Sequence, residues 1–373
     1  MSRRLIMRLQ CRARAESAVF NPQRLTLGRK RRKITARALA IAIGVSPVTI
    51  SRLENGANEP EGDTVDALAR ALNFPREFFF AEDVDELPAQ AASFRSLSSM
   101  SAKERDAALS AGVIAYLFHD WVAERFHLPD GNIPEVHGDA QPEAAARIVR
   151  SQWGLGEQPI SSMVKLLESK GVSVFSLCED TKNVDAFSCW RGERPFVFLN
   201  TFKSTERSRF DAAHELGHLV MHRHGAPQDS RQAESEADKF ASAFLMPADD
   251  VVSRIRYVSG LDCLVRHKKR WGVSVAALNY RLHRLGIVSE WQNRSLNVEL
   301  SGRGYRREEP EGLPSENSAL WPKVFTELWR ERITREHIAA QLHVPPGELD
   351  MILRHLPVAQ GDVVRASEGL RAV

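Results

Sequence analysis

Cysteine is scarce. The chain has only Cys11, Cys178, Cys189 and Cys263, with no CxxC pair among them. That scarcity excludes a disulfide framework and a thiolate zinc cage, and it suits a reducing compartment. Long apolar runs are missing too: none approaches the roughly 20 residues needed to cross a bilayer. The opening MSRRLIMRLQCRARAESAVF lacks the unbroken apolar block of a secretory signal. The chain therefore reads as a cytoplasmic protein with no membrane partner. Acid is almost absent from the start, where residues 1–56 carry thirteen Lys or Arg against Glu16 and Glu54 alone. The formal net charge of +3 over 373 residues hides this imbalance. It marks one end of the chain for a polyanion, with residues 1–20 as a basic arm.

What is present falls into segments. Residues 21–80 read as a compact bundle of short helices, each with apolar residues at helical spacing and a turn signal at its end. The acidic stretch AEDVDELPAQAA opens a linker over 81–100, and a larger domain follows over 101–290. Within it the period switches from helical to two at GVSVFSL (171–177), VDAFSCW (184–190) and RPFVFLN (194–200), which predicts a small antiparallel sheet. Residues 291–373 form a mostly helical C-terminal region. The expected class is α+β, predominantly helical.

ITARALAIAIGVSPVTISRLENG (34–56) has the layout of a helix-turn-helix. Leu39 and Ile43 share a helix face, Gly44 permits the tight turn, and Ser46 with Pro47 starts the second helix. That helix offers Ser46, Thr49, Ser51 and Arg52 to base edges, while Arg29, Lys30, Arg31, Arg32 and Lys33 offer charge to phosphates. Together with the following NEPEGDTVDALARALNFP, the segment resembles the phage-repressor type of helix-turn-helix, the XRE family. The resemblance implies a five-helix fold, double-stranded DNA as partner, and a homodimer on a palindromic operator. Ala36 stands where that family usually carries Gln near the start of the first helix.

RFDAAHELGHLVMHRH (209–224) carries the chemistry. His214, Glu215 and His218 form HExxH, whose four-residue spacing sets both imidazoles on one helix face within reach of one ion. Glu215, about 100° round the helix, is placed to take a proton from metal-bound water. Zinc suits two imidazoles and a carboxylate. His222 and His224 read as helix-end residues or outer partners, because Met221 stands where a metzincin turn would need Gly. The third ligand is expected from RQAESEADKFASAFLMP. There Glu236 lies at the edge of a buried stripe, Glu234 is the reserve, and Asp238 can orient a ligating imidazole. RPFVFLN is the candidate strand edge for an extended substrate.

SRFDAAHELGHLVMH followed by ESEADKFASAFLMP resembles the ImmA/IrrE family of metallopeptidases, with a gluzincin-like zinc site. The resemblance implies Zn2+ on His214, His218 and Glu236, and Glu215 as general base. It covers residues 160–290, and fusion to an XRE module through an FRS segment, here Phe94, Arg95 and Ser96, fits the same family. The implied function is a DNA-binding regulator with zinc-dependent endopeptidase activity on a repressor, another regulatory protein or itself. The alternative is a transcription factor whose metallopeptidase-like domain senses without cutting.

Overall fold

The computed structural model describes residues 19–87, 101–136, 141–177, 186–200, 203–223 and 230–354. Most of the basic arm, the FRS segment (Phe94, Arg95, Ser96) and His224 lie outside these residues. The chain divides into two compact units. One joins the described residues up to Leu87 with Ser101–Trp121 and Glu331–Asp350; the other comprises Val122–Arg330 and the residues from Met351. No single helix among the described residues is long and apolar enough to cross a membrane.

The first unit begins with α1 (Pro22–Arg31), whose first-turn N–H groups at Gln23 and Arg24 donate to the Asn21 side chain. Helices α2 (Ala36–Ile43) and α3 (Pro47–Glu54) cross at 115° and form the helix-turn-helix. Gly44 between them holds φ 74°, a left-handed conformation that a side chain would strain. Helix α4 (Gly62–Leu72) and a 3-10 turn (Arg76–Phe80) complete the five-element bundle. Leu25, Leu39, Ile50, Leu68, Leu72 and Phe78 form its fully buried core. The long α5 (Ala102–Ala123) follows.

The second unit surrounds a three-stranded sheet. Helices α6 (Pro142–Gln152) and α7 (Met163–Ser169) lead to β1 (Ser173–Ser176), β2 (Ala186–Arg191) and β3 (Arg194–Leu199). The sheet order is β1-β3-β2. A two-residue turn at Gly192 and Glu193 makes β2 and β3 antiparallel, but β1 pairs with β3 in parallel, Ser173 facing Phe196. The sheet is thus mixed rather than wholly antiparallel. RPFVFLN is its central strand, with both backbone edges already paired, so it cannot receive a substrate strand. Among the described residues β2 is the edge strand on the antiparallel side, and the next helix, α8 (Thr205–Met221), packs against it. Strand alternation could not distinguish these two, because both are apolar on each face.

Helices α9 (Ser230–Leu245), α10 (Ala248–Arg254), α11 (Leu261–Trp271), α12 (Val275–Arg284), α13 (Glu290–Gly302) and α14 (Leu320–Arg330) complete the unit. Residues 309–319 strap α8 and α7 in place through buried carboxylates. Glu316 accepts from Arg209 and from the amides of Met163 and Val164, while Glu309 pairs with the buried Lys268, which also holds Glu206. Arg209 further donates to the carbonyls of Ile160 and Gly272, so its place is structural.

The last two helices, α15 (Arg335–Gln341) and α16 (Pro346–Ile352), rejoin the first unit. Glu348, 1% exposed, accepts from Arg31 at 2.7 Å and Arg32 at 2.5 Å. Removing this carboxylate breaks a buried ion pair, a change that costs about 3–5 kcal/mol. We expect Glu348→Ala to lower amide-exchange protection of α1 and α16 in the intact chain by about 100-fold or more. Unchanged protection there would show that the bridge contributes nothing.

Candidate metal centre

The site is set by one close crossing of two helices. A Cβ at Gly217 would come within 3.1 Å of the Phe240 ring and 3.3 Å of Ala237 Cα, so α8 and α9 meet where α8 has no side chain. Ala237 sits opposite, and Glu234 and Asp238, one helical turn apart along α9, are carried over the HExxH face. The rest of both helices is anchored by buried Leu216, Leu219, Phe240, Ala241 and Phe244.

Three donors converge there. His214 Nε2 and His218 Nε2 are 3.0 Å apart, and the Glu234 carboxylate lies 3.2 Å from the first and 3.6 Å from the second. As protein groups alone, the two rings can share a single N–H···N hydrogen bond in this arrangement. The same arrangement suits a cation well: four ligands at about 2.0–2.1 Å around a tetrahedral zinc stand roughly 3.3 Å apart. His214, His218 and Glu234 therefore fit a metal ion.

Around the triad the supporting contacts are specific. His214 Nδ1 faces Asp238 Oδ1 at 2.9 Å, which fixes that ring with Nε2 toward the centre. His218 Nδ1 faces His222 Nδ1 at 2.9 Å, and His222 Nε2 in turn meets Glu236 at 3.1 Å. Burial pushes the His214 imidazole down, but hydrogen bonds to Asp238 and Glu234 and the charge of Glu215 outweigh it and carry it up to about 10. Burial and the neighbouring His214 and His222 push His218 well below its ordinary range.

Of the two acids expected as third ligand, the structure brings Glu234, the reserve, to the two imidazoles. Glu236 does not join His214 and His218; it receives His222 and the Gln232 amide and is 26% exposed, whereas the Glu234 side chain is 8% exposed. Both acids flank the buried stripe of α9, but on opposite edges, since they point about 200° apart. Asp238 lies only about 40° from Glu234 and about 160° from Glu236. An Asp238 that orients a ligating imidazole thus already selects Glu234, a signal present in the sequence. His222, expected as an outer partner, takes that position behind His218.

Glu215 is 3% exposed, beside the triad on α8. Ser188 on β2 approaches its Oε2 at 2.7 Å and donates to it. Sequence reading did not single out Ser188. Its place in the edge strand beside the metal helix follows from strand order, which alternation alone does not reveal.

The DNA-facing residues divide. Arg31 is buried against Glu348, and Arg32 donates to Glu348 and to the carbonyls of Leu72 and Asn73. Arg29 grips Glu54 through both Nε and Nη2, at 2.6 and 3.1 Å. These three side chains brace the bundle from within. Ser46 caps α3 and shares a hydrogen bond with Thr49 at 2.8 Å. Lys33, Ser51 and Arg52 are exposed and Lys30 half-buried. Arg37, exposed on α2 and outside the basic run that drew attention, joins this set.

Comparison with known families matches these two parts separately. Residues 27–79 match the model of a helix-turn-helix family, and residues 167–283 match that of the IrrE N-terminal-like domain, a peptidase family. No curated protein matches the chain.

Proposed function

We propose, from a chain that joins an XRE-type helix-turn-helix to an IrrE-like metallopeptidase domain, that the protein binds DNA and hydrolyses peptide bonds in a regulatory protein. The convergence of His214, His218 and Glu234 beside a buried Glu215 carries this reading. These three residues would hold Zn2+, which when bound supplies Lewis acidity and a water acidic enough to lose a proton near neutral pH. Ser188 fixes one oxygen of Glu215, and the carboxylate takes the proton at its other oxygen, then returns it to the leaving amine. Asp238 keeps the His214 ring aimed at the centre, and the His222–Glu236 pair does the same for His218.

On the DNA side, α3 would enter the major groove with Ser46, Thr49, Ser51 and Arg52, while Lys30, Lys33 and Arg37 meet phosphates. A homodimer would match a palindromic operator. The substrate we favour is an XRE-type repressor or the chain's own segment at 81–100. Incubation of the full-length protein with repressors encoded beside it tests this. Fragments that appear with zinc and vanish with a chelator are expected; an unchanged band pattern in both would leave a DNA-binding sensor without proteolysis.

A further inference from the structure

Beside the metal centre, α9, α12 and α6 enclose a cleft lined by Lys239, Ser242, Tyr280, Arg281, Arg284 and Glu143. Its charges are unbalanced. Arg281 already holds the one carboxylate, Glu143, through two bonds of 2.8 and 2.6 Å. Lys239 and Arg284 make no hydrogen bond or ion pair among the described residues; Glu143 and Glu236 act on them only at longer range, so the three cations of the lining outnumber its one carboxylate. The second observation is Ser242: it is 1% exposed, and its Oγ is buried with no hydrogen-bond partner among the described residues. A buried hydroxyl without a partner costs free energy unless something in the cleft satisfies it.

We propose that this cleft binds a single anionic group of the carboxylate or phosphate class. Ser242 Oγ and Tyr280 supply neutral donors, and Lys239 and Arg284 supply charge-assisted ones. The cleft shares α9 with the metal centre, since Lys239 follows Asp238, the residue bonded to His214, and Ser242 lies one turn further on. An anion seated here thus contacts the helix that carries Glu234 and Asp238. The same chemistry has two sources, an acidic side chain of a bound polypeptide or a free small anion.

Titration of the metal-free, full-length protein with inorganic phosphate in the presence of a chelator tests the site, with chloride at matched ionic strength as reference. Saturable binding of phosphate alone is expected. Lys239→Ala and Arg284→Ala should each raise Kd about tenfold, Ser242→Ala should raise it severalfold, and Arg294→Ala, on α13, should leave it unchanged. Displacement of phosphate by N-acetyl-aspartate amide would identify a polypeptide side chain as the anion; phosphate binding that this probe does not displace would identify a free anion. Absence of saturable binding, or binding equal in the wild type and the Lys239 and Arg284 variants, would overturn the proposal. Because no metal is present, that outcome is distinct from any failure of the peptidase reading.

Discussion

Glu215→Gln is expected to reduce peptide cleavage by about 10²–10⁴-fold, the usual contribution of a positioned general base, while metal content and DNA binding stay as in the wild type. The substitution is nearly isosteric. Its amide oxygen can still accept from Ser188, which approaches the present carboxylate at 2.7 Å, so the packing of α8 against β2 is preserved. What is lost is the ability to accept and return a proton. The loss should therefore fall on kcat, with KM little changed. Cleavage at the wild-type rate by purified Glu215→Gln protein would remove Glu215 from the reaction.

The second large effect separates two neighbouring acids. Glu234→Ala removes one of three converging donors and leaves two imidazoles 3.0 Å apart. Glu236→Ala removes only the far end of a chain that runs through His222 to His218. Loss of an outer partner typically costs about 10–100-fold in metal affinity, so Glu236→Ala should fall within that range and Glu234→Ala beyond it. Competition against a zinc-binding dye reads both. Equal losses in the two variants, or a larger one for Glu236→Ala, would reverse the assignment of ligand and support.

The parts of this site that were legible in the sequence are those fixed by local geometry. HExxH declares itself because a four-residue spacing on a helix needs no knowledge of the rest of the fold. The helix-turn-helix was readable for the same reason, through Gly44, the Ser46 cap and the spacing of Leu39 and Ile43. The choice between Glu234 and Glu236 depended on which edge of α9 meets α8, and that is set by the Gly217–Ala237 crossing. The central place of β3 depends on where β1 pairs, a relation between strands separated by other elements. Charge counts do not reveal partners: Arg29, Arg31 and Arg32 look alike in sequence, yet Glu54 holds the first and Glu348 the other two. Glu348 is 317 residues from Arg31, and nothing local announces the contact.

The proposed hydrolysis depends on one ion held jointly by α8 and α9. Anomalous scattering at the zinc absorption edge, from crystals of the zinc-loaded protein, locates that ion directly. A peak at about 2.0–2.2 Å from His214 Nε2, His218 Nε2 and a Glu234 oxygen is the expected result. A peak bound instead by His222 and Glu236, or no peak near His214 and His218 in protein that has taken up zinc, would contradict it.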